Sequence, residues 1–170
     1  MMRRPASLIR DRDGTAAVEL ALVLPILLAL MFGAFELGNF FLSEHVVDKA
    51  VRDAARYAAR LPLTSYAGCT VPSAGPAEQQ TQRIARFGDP AGTGSARLIG
   101  WTADSMTTVT IACNNTSSWG TGGIYTDFPN GAPVITVAAT VPYKTFFGSL
   151  GIGATTVNLN AQSQAAVIGA

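Results

Sequence analysis

From Ala16 to about Leu42 the chain is apolar, broken only by Glu19 and Glu36, and the stretch from Leu20 to Phe35 carries no charge. At 1.5 Å rise per residue such a run makes a helix about 40 Å long, enough to cross a hydrocarbon core of about 30 Å. Arg3, Arg4, Arg10 and Arg12 precede it and few basic residues follow, which places the N-terminus in the cytoplasm and the bulk of the chain outside. A secretory signal peptide would carry an apolar region of about 7 to 15 residues ending at a small-x-small site. Here the apolar character continues through GNFFL without such a site. A plain signal anchor explains the run but not Glu19, since a charge at the bilayer centre costs roughly 2.5 to 3.5 kcal/mol and is by default functional.

The helical pattern outlasts the apolar run. In EHVVDKAVRDAARYAARL, Val47, Val51, Ala54, Ala58 and Leu61 recur at steps of four and three, one stripe of an amphipathic helix. Asp48 with Arg52 and Lys49 with Asp53 are opposite charges one turn apart, Arg56 and Arg60 suit a helix C-terminus, and Pro62 ends the pattern. With no Gly-Pro or Ser-rich break between the segments, one helix is expected from about Ala16 to Arg60, roughly 65 to 70 Å long. Pro25 is expected to kink it.

After Pro62 the periodicity changes. Residues 62–106 read as loop around one short helix, PAEQQTQRIARFG, with Pro76 at its start and Gly88 past its end. From Thr107 the period is two: TTVTIAC, VITVAATV and TTVNLNAQSQAAVI alternate apolar and polar, and clusters such as NNTSSWGTGG and FFGSLGIG fit antiparallel connections. A sheet with one apolar face needs a cover, and the Val47 to Leu61 stripe supplies it. The expected architecture is α+β: a long N-terminal helix, its 15–42 half in lipid and its 43–61 half laid on a small antiparallel sheet formed by 107–170.

The formal net charge is +1 and only 14% of residues are charged, which excludes the basic footprint of a nucleic-acid binder. An enzyme, such as a tethered hydrolase, needs a nucleophile, a base and an orienting group, or a metal cluster. The chain has no G-x-S-x-G, no H-E-x-x-H and no Gly-rich phosphate loop, and after Arg60 only Glu78, Asp89, Asp104 and Asp127 are acidic. No cofactor or catalytic residue is assigned, and the single histidine, His45, is expected at the surface. Asn114 and Asn115 begin overlapping N-x-[ST] matches that a polar turn produces by composition. Cys69 and Cys113 fall in the part placed outside, where an oxidising compartment favours a disulfide. Two unrelated buried thiols are the other reading.

The order G-T-A-A-V-E-L, L-P-I-L-L, F-E-L-G and D-A-A-R-Y-A-A-R behind a short basic leader resembles the TadE-like proteins, minor pilins or pseudopilins of the tight-adherence (Tad, or Flp) branch of bacterial type IV pili. The likeness is concentrated in Gly14 to Arg60, and VITVAATVPYKTFFGSL is more loosely similar to the family's C-terminal strands. The chain departs from the family at Glu36-Leu37-Gly38-Asn39, where many members carry arginine after the glycine.

The resemblance implies a type IV pilin-like fold. It implies cleavage of a leader, Met1 to Gly14, by a membrane-embedded prepilin peptidase at the Gly14-Thr15 bond, with Glu19 guiding assembly. Glu36, toward the far end of the span, is read from its position as reaching the outer interface and as a further assembly contact. The partners that the resemblance implies are that peptidase, other pilin subunits, the Tad assembly platform and the lipid bilayer. Its implied location is the inner membrane with a periplasmic C-terminal domain, and afterwards the extracellular pilus. The alternative is a signal-anchored extracytoplasmic binding module or adhesin whose leader is not cut.

Overall fold

The apolar run and the stripe behind it form one helix, α1 (Thr15–Ala59), in a computed structural model that describes residues 14–71, 75–116 and 118–169. The arginines of the expected leader, Arg3 to Arg12, lie outside the described residues. α1 continues through Pro25. At its end the N–H groups of Arg60 and Leu61 donate to the carbonyls of Tyr57 and Ala58, at 3.1 and 3.2 Å, tightening the last turn before Pro62.

The chain divides after Asn39 into two compact units. In the first, the described residues 14–39 are all helix from Thr15 on, and its large apolar side chains stand exposed.

The second unit begins with the remainder of α1, which buries Val47, Ala50, Val51, Ala54, Ala55 and Ala58 at i, i+3, i+4, i+7, i+8 and i+11. Four of these six are alanine, so the helix backbone can approach closely the sheet that this face covers. The sheet holds β1 (Thr107–Asn114), β2 (Ala132–Lys144) and β3 (Thr156–Ala166), antiparallel in the order β1-β2-β3. Val109 pairs with Val137, Ile111 with Ile135, and Val141 with Leu159. Val109, Ile135, Val137, Ala139, Val141, Tyr143 and Leu159 pack with the α1 stripe and with fully buried Trp101 in one core. The α+β arrangement expected from the two periodicities is the one observed.

α2 (Pro76–Phe87) starts with proline in its first turn, where a missing N–H costs nothing, and ends at Gly88, whose left-handed φ of 80° lets its N–H bond the Ile84 carbonyl at 2.9 Å. It packs on β1 through the Gln82 amide, which donates to the Thr107 carbonyl at 3.1 Å. It meets α1 where the Tyr57 hydroxyl donates to Gln80 Oε1 at 2.8 Å.

Four details depart from the sequence pattern. β2 is longer than VITVAATV and takes in Pro133 and Pro142. Proline is tolerated because β1 pairing stops at Ala139 and β3 pairing at Val134, so at each proline β2 has a ladder on one side only. The β1–β2 and β2–β3 connections hold short helical turns, α3 (Ser118–Thr121) and α4 (Phe146–Ser149). Val157, expected on the inner face, is exposed opposite Tyr143 at the end of the sheet. Asp48 does pair with Arg52, but the Asp53 carboxylate is taken by Arg97 at 3.1 Å instead of by Lys49.

Candidate functional site on the N-terminal helix

The residues that set this site lie in the first unit. Gly14 immediately precedes α1, and nothing stands within 4 Å of where a side chain would project from it. The first turn of α1 carries no acidic residue, so Glu19, in the second turn, is the first carboxylate within the helix. Thr15, Val18, Glu19 and Leu22 follow at i, i+3, i+4 and i+7 and so share one face. Glu19 is exposed, and among the described residues no ion pair or hydrogen bond reaches it.

Glu36 sits 17 residues further on and is half-buried. At 1.5 Å per residue the two carboxylates are about 25 Å apart along the axis, close to the thickness of a hydrocarbon core. They therefore do not form one cluster. They bracket the charge-free stretch 20–35, and the most apolar 18-residue window of α1 has a mean hydropathy of 2.4 and no buried residue. Val18 and Leu22 are 62% and 71% exposed, on the same face as Glu19. Such a surface is consistent with a membrane anchor or a signal segment.

Among the described residues no three His, Cys, Asp or Glu side chains are grouped to hold a metal ion. His45 is exposed on α1. Cys69 and Cys113 are joined in a disulfide with Cα atoms 6.0 Å apart, tying the loop after α1 to β1.

The polar groups that are fixed here hold structure together. Arg86 is the largest such node, and its residue type gave no sign of this in the sequence. Its Nε donates to the Trp101 carbonyl at 2.8 Å, Nη2 to the Thr102 carbonyl at 2.5 Å and Nη1 to Asp104 Oδ1 at 2.9 Å, while the guanidinium lies 4.6 Å over the Phe87 ring. Asp89 accepts from the Thr93 hydroxyl and from the N–H groups of Thr93 and Ala91, which holds its carboxyl below the usual carboxylate range. The Tyr66 hydroxyl is buried and donates to the Ala58 carbonyl at 2.8 Å. Burial, with the nearby Tyr57 adding to it, pushes Tyr66 up to about 12.

Set against known protein families, residues 14–56 match the family model described as TadE-like protein. No curated protein and no solved structure matches the chain. The matched residues contain the whole of the site above, from Gly14 through Glu36, and reach α1's buried stripe as far as Ala55.

Proposed function

We propose that this chain, TadE-like over residues 14–56, is a structural, pilin-like subunit of a Tad-type pilus in the cell envelope, needed for its assembly, initiation or tip. The observation that carries the reading is a TadE-like segment lying on a helix whose apolar window is wholly exposed. Only lipid or other apolar helices can cover such a surface. Both covers are required of a pilin, first in the inner membrane and then in the filament.

In this reading the prepilin peptidase cuts between Gly14 and Thr15. A glycine with open space around it lets that peptide bond enter an active site. Cleavage leaves an α-ammonium on Thr15, about 6 Å along the helix axis from Glu19. A buried carboxylate without a partner is costly, whereas one paired with an ammonium is tolerated. When the ammonium belongs to a neighbouring subunit, the pair also fixes axial register. Ala17 with Ala21, and Ala34 with Gly38, supply small residues one turn apart where helices can approach closely. Glu36 serves as a second inter-subunit contact near the other end of the span.

N-terminal sequencing of the chain purified from membranes tests the processing step. Thr15 as first residue supports it, and Met1 would instead mark a signal-anchored binding module or adhesin. Glu19→Ala tests the assembly step: the variant is expected to insert and be cut normally yet be absent from sheared filaments. Wild-type piliation with that variant as the sole copy would overturn the role given to Glu19.

A further inference from the structure

The second unit has a defined polarity along α1. At one end the Ile168 N–H donates to the Ala59 carbonyl at 2.9 Å and the Val167 N–H to the Pro133 carbonyl at 2.9 Å. At the other, the Phe40 and Tyr143 rings meet edge to face with centroids 5.6 Å apart. Ala59 to Phe40 spans about 28 Å of helix, and Pro133 to Tyr143 about 33 Å of strand. β2 therefore runs alongside α1 in the opposite direction, and the β2–β3 connection lies at the Phe40 end.

That connection is an apolar knob on a fixed base. Phe146, Leu150 and Ile152 are 47%, 59% and 65% exposed, and Val157 and, on α1, Phe41 and Leu42 are exposed as well. The knob is held by its own bonds: the Thr145 hydroxyl accepts from the Gly148 N–H at 3.1 Å and donates to the Ala154 carbonyl, and the Ile152 N–H donates to the Phe147 carbonyl at 2.9 Å. A Cβ on Gly148 would stand 2.3 Å from the Ala154 carbonyl oxygen, so the turn closes only around glycine. Lys144, exposed at the base, is the only charged side chain from Phe128 to Ala170.

We propose that this knob is a second membrane contact, in which Phe146, Leu150 and Ile152 enter the interfacial layer of the bilayer while Lys144 stays at the phosphate level. The proposal rests on the reading of the first unit as a membrane anchor. Lipid is the occupant that fits, because the knob lies at the Phe40 end of the second unit, where exposed Phe41 and Leu42 close the apolar run, and its tip brings no charge out of water. A cation at the rim of an apolar patch suits the headgroup region.

Both native cysteines are in the disulfide, so an introduced cysteine is the sole thiol to label. An environment-sensitive fluorophore would be placed at Ile152→Cys, at Ala91→Cys as an exposed reference, and at Phe35→Cys inside the anchor. The full chain would be reconstituted in vesicles of zwitterionic and anionic phospholipid. Quenching by lipids carrying a spin label near the headgroup is expected to be several-fold stronger at position 152 than at 91, with an emission shift to the blue. Quenching at 35 but not at 152 overturns the knob and leaves the anchor standing. Absence of quenching at both removes the anchor and the knob together. A blue shift at 152 without lipid quenching means that protein covers the knob, which also overturns the proposal.

Discussion

Tyr66 offers a perturbation whose sign reverses with pH. The side chain is 1% exposed and its hydroxyl is the donor to the Ala58 carbonyl. Tyr66→Phe removes that donor and leaves the carbonyl buried, so at neutral pH the variant should be less stable by about 1 kcal/mol. Alkali acts the other way. Burial raises the folded-state value of Tyr66 to about 12, against 10.0 for the free group, so between these the unfolded chain has lost the proton that the folded chain keeps. The unfolded state then binds fewer protons, and stability falls as pH rises from 10 toward 12, by about 2 kcal/mol in all. The contribution is thus fully present below pH 10 and lost as pH rises through about 12. Phenylalanine has no such loss, so the two stability curves should cross near pH 11. Denaturant unfolding of the full chain in detergent, wild type against variant, reads the difference, to which Tyr57 contributes through its coupling to Tyr66. A constant gap between the curves from pH 7 to 12 would refute the burial argument.

Cutting the disulfide with a Cys69→Ser, Cys113→Ser double variant should lower stability by about 4 kcal/mol, since the bridge closes a separation of 44 residues; calorimetry under non-reducing conditions checks this. Arg86→Met, which removes the bonds to two main-chain carbonyls and leaves Asp104 only the Arg83 Nε at 4.0 Å, should cost about 2 kcal/mol, and Arg86→Lys should recover less than half because an ammonium cannot span all three acceptors. Gly100→Ala should prevent the 100-strand contact from closing, because its Cβ would fall 1.9 Å from the Pro142 carbonyl oxygen; soluble yield and amide-exchange protection of Pro142's neighbours report it.

What could be read from the sequence was what repeats. α1 was legible because its apolar residues recur over about twelve turns, and the strands because a period of two survives even where a position is Thr or Ser. Arg86 and Trp101 were not legible. Trp101 is fully buried yet lies in a segment without period, and Arg86 looks like an ordinary cation in the last turn of a helix. Its role depends on the carbonyls of residues 101 and 102 arriving beside it, which is long-range information. The Lys49–Asp53 expectation failed for the same reason, since Arg97 is 44 residues from Asp53 and competes from outside the helix. In the candidate site, Glu19 and Glu36 could be picked out because each interrupts the apolar run, a break being as readable as a repeat, whereas Gly14 was reached only through the family resemblance.

The two halves of α1 carry different amounts of positional information. Beyond Phe40 a stripe of alanines against Val47 and Val51 gives the sheet one seat, since sliding by a turn would drive larger side chains into the core. In the first unit, large apolar residues stand on every side from Val18 to Leu37, and one turn of Leu, Val and Ile is much like the next. A partner helix could slide there at little cost in packing. Beyond the small-residue pairs, Glu19 and Glu36 distinguish one level of that cylinder from another, and of the two it is Glu19 that would lie near the N-terminus created by the proposed cleavage. The proposed ammonium–carboxylate pair is therefore the element that makes an otherwise degenerate helix contact specific along its axis, which is why its loss should spare insertion and abolish assembly.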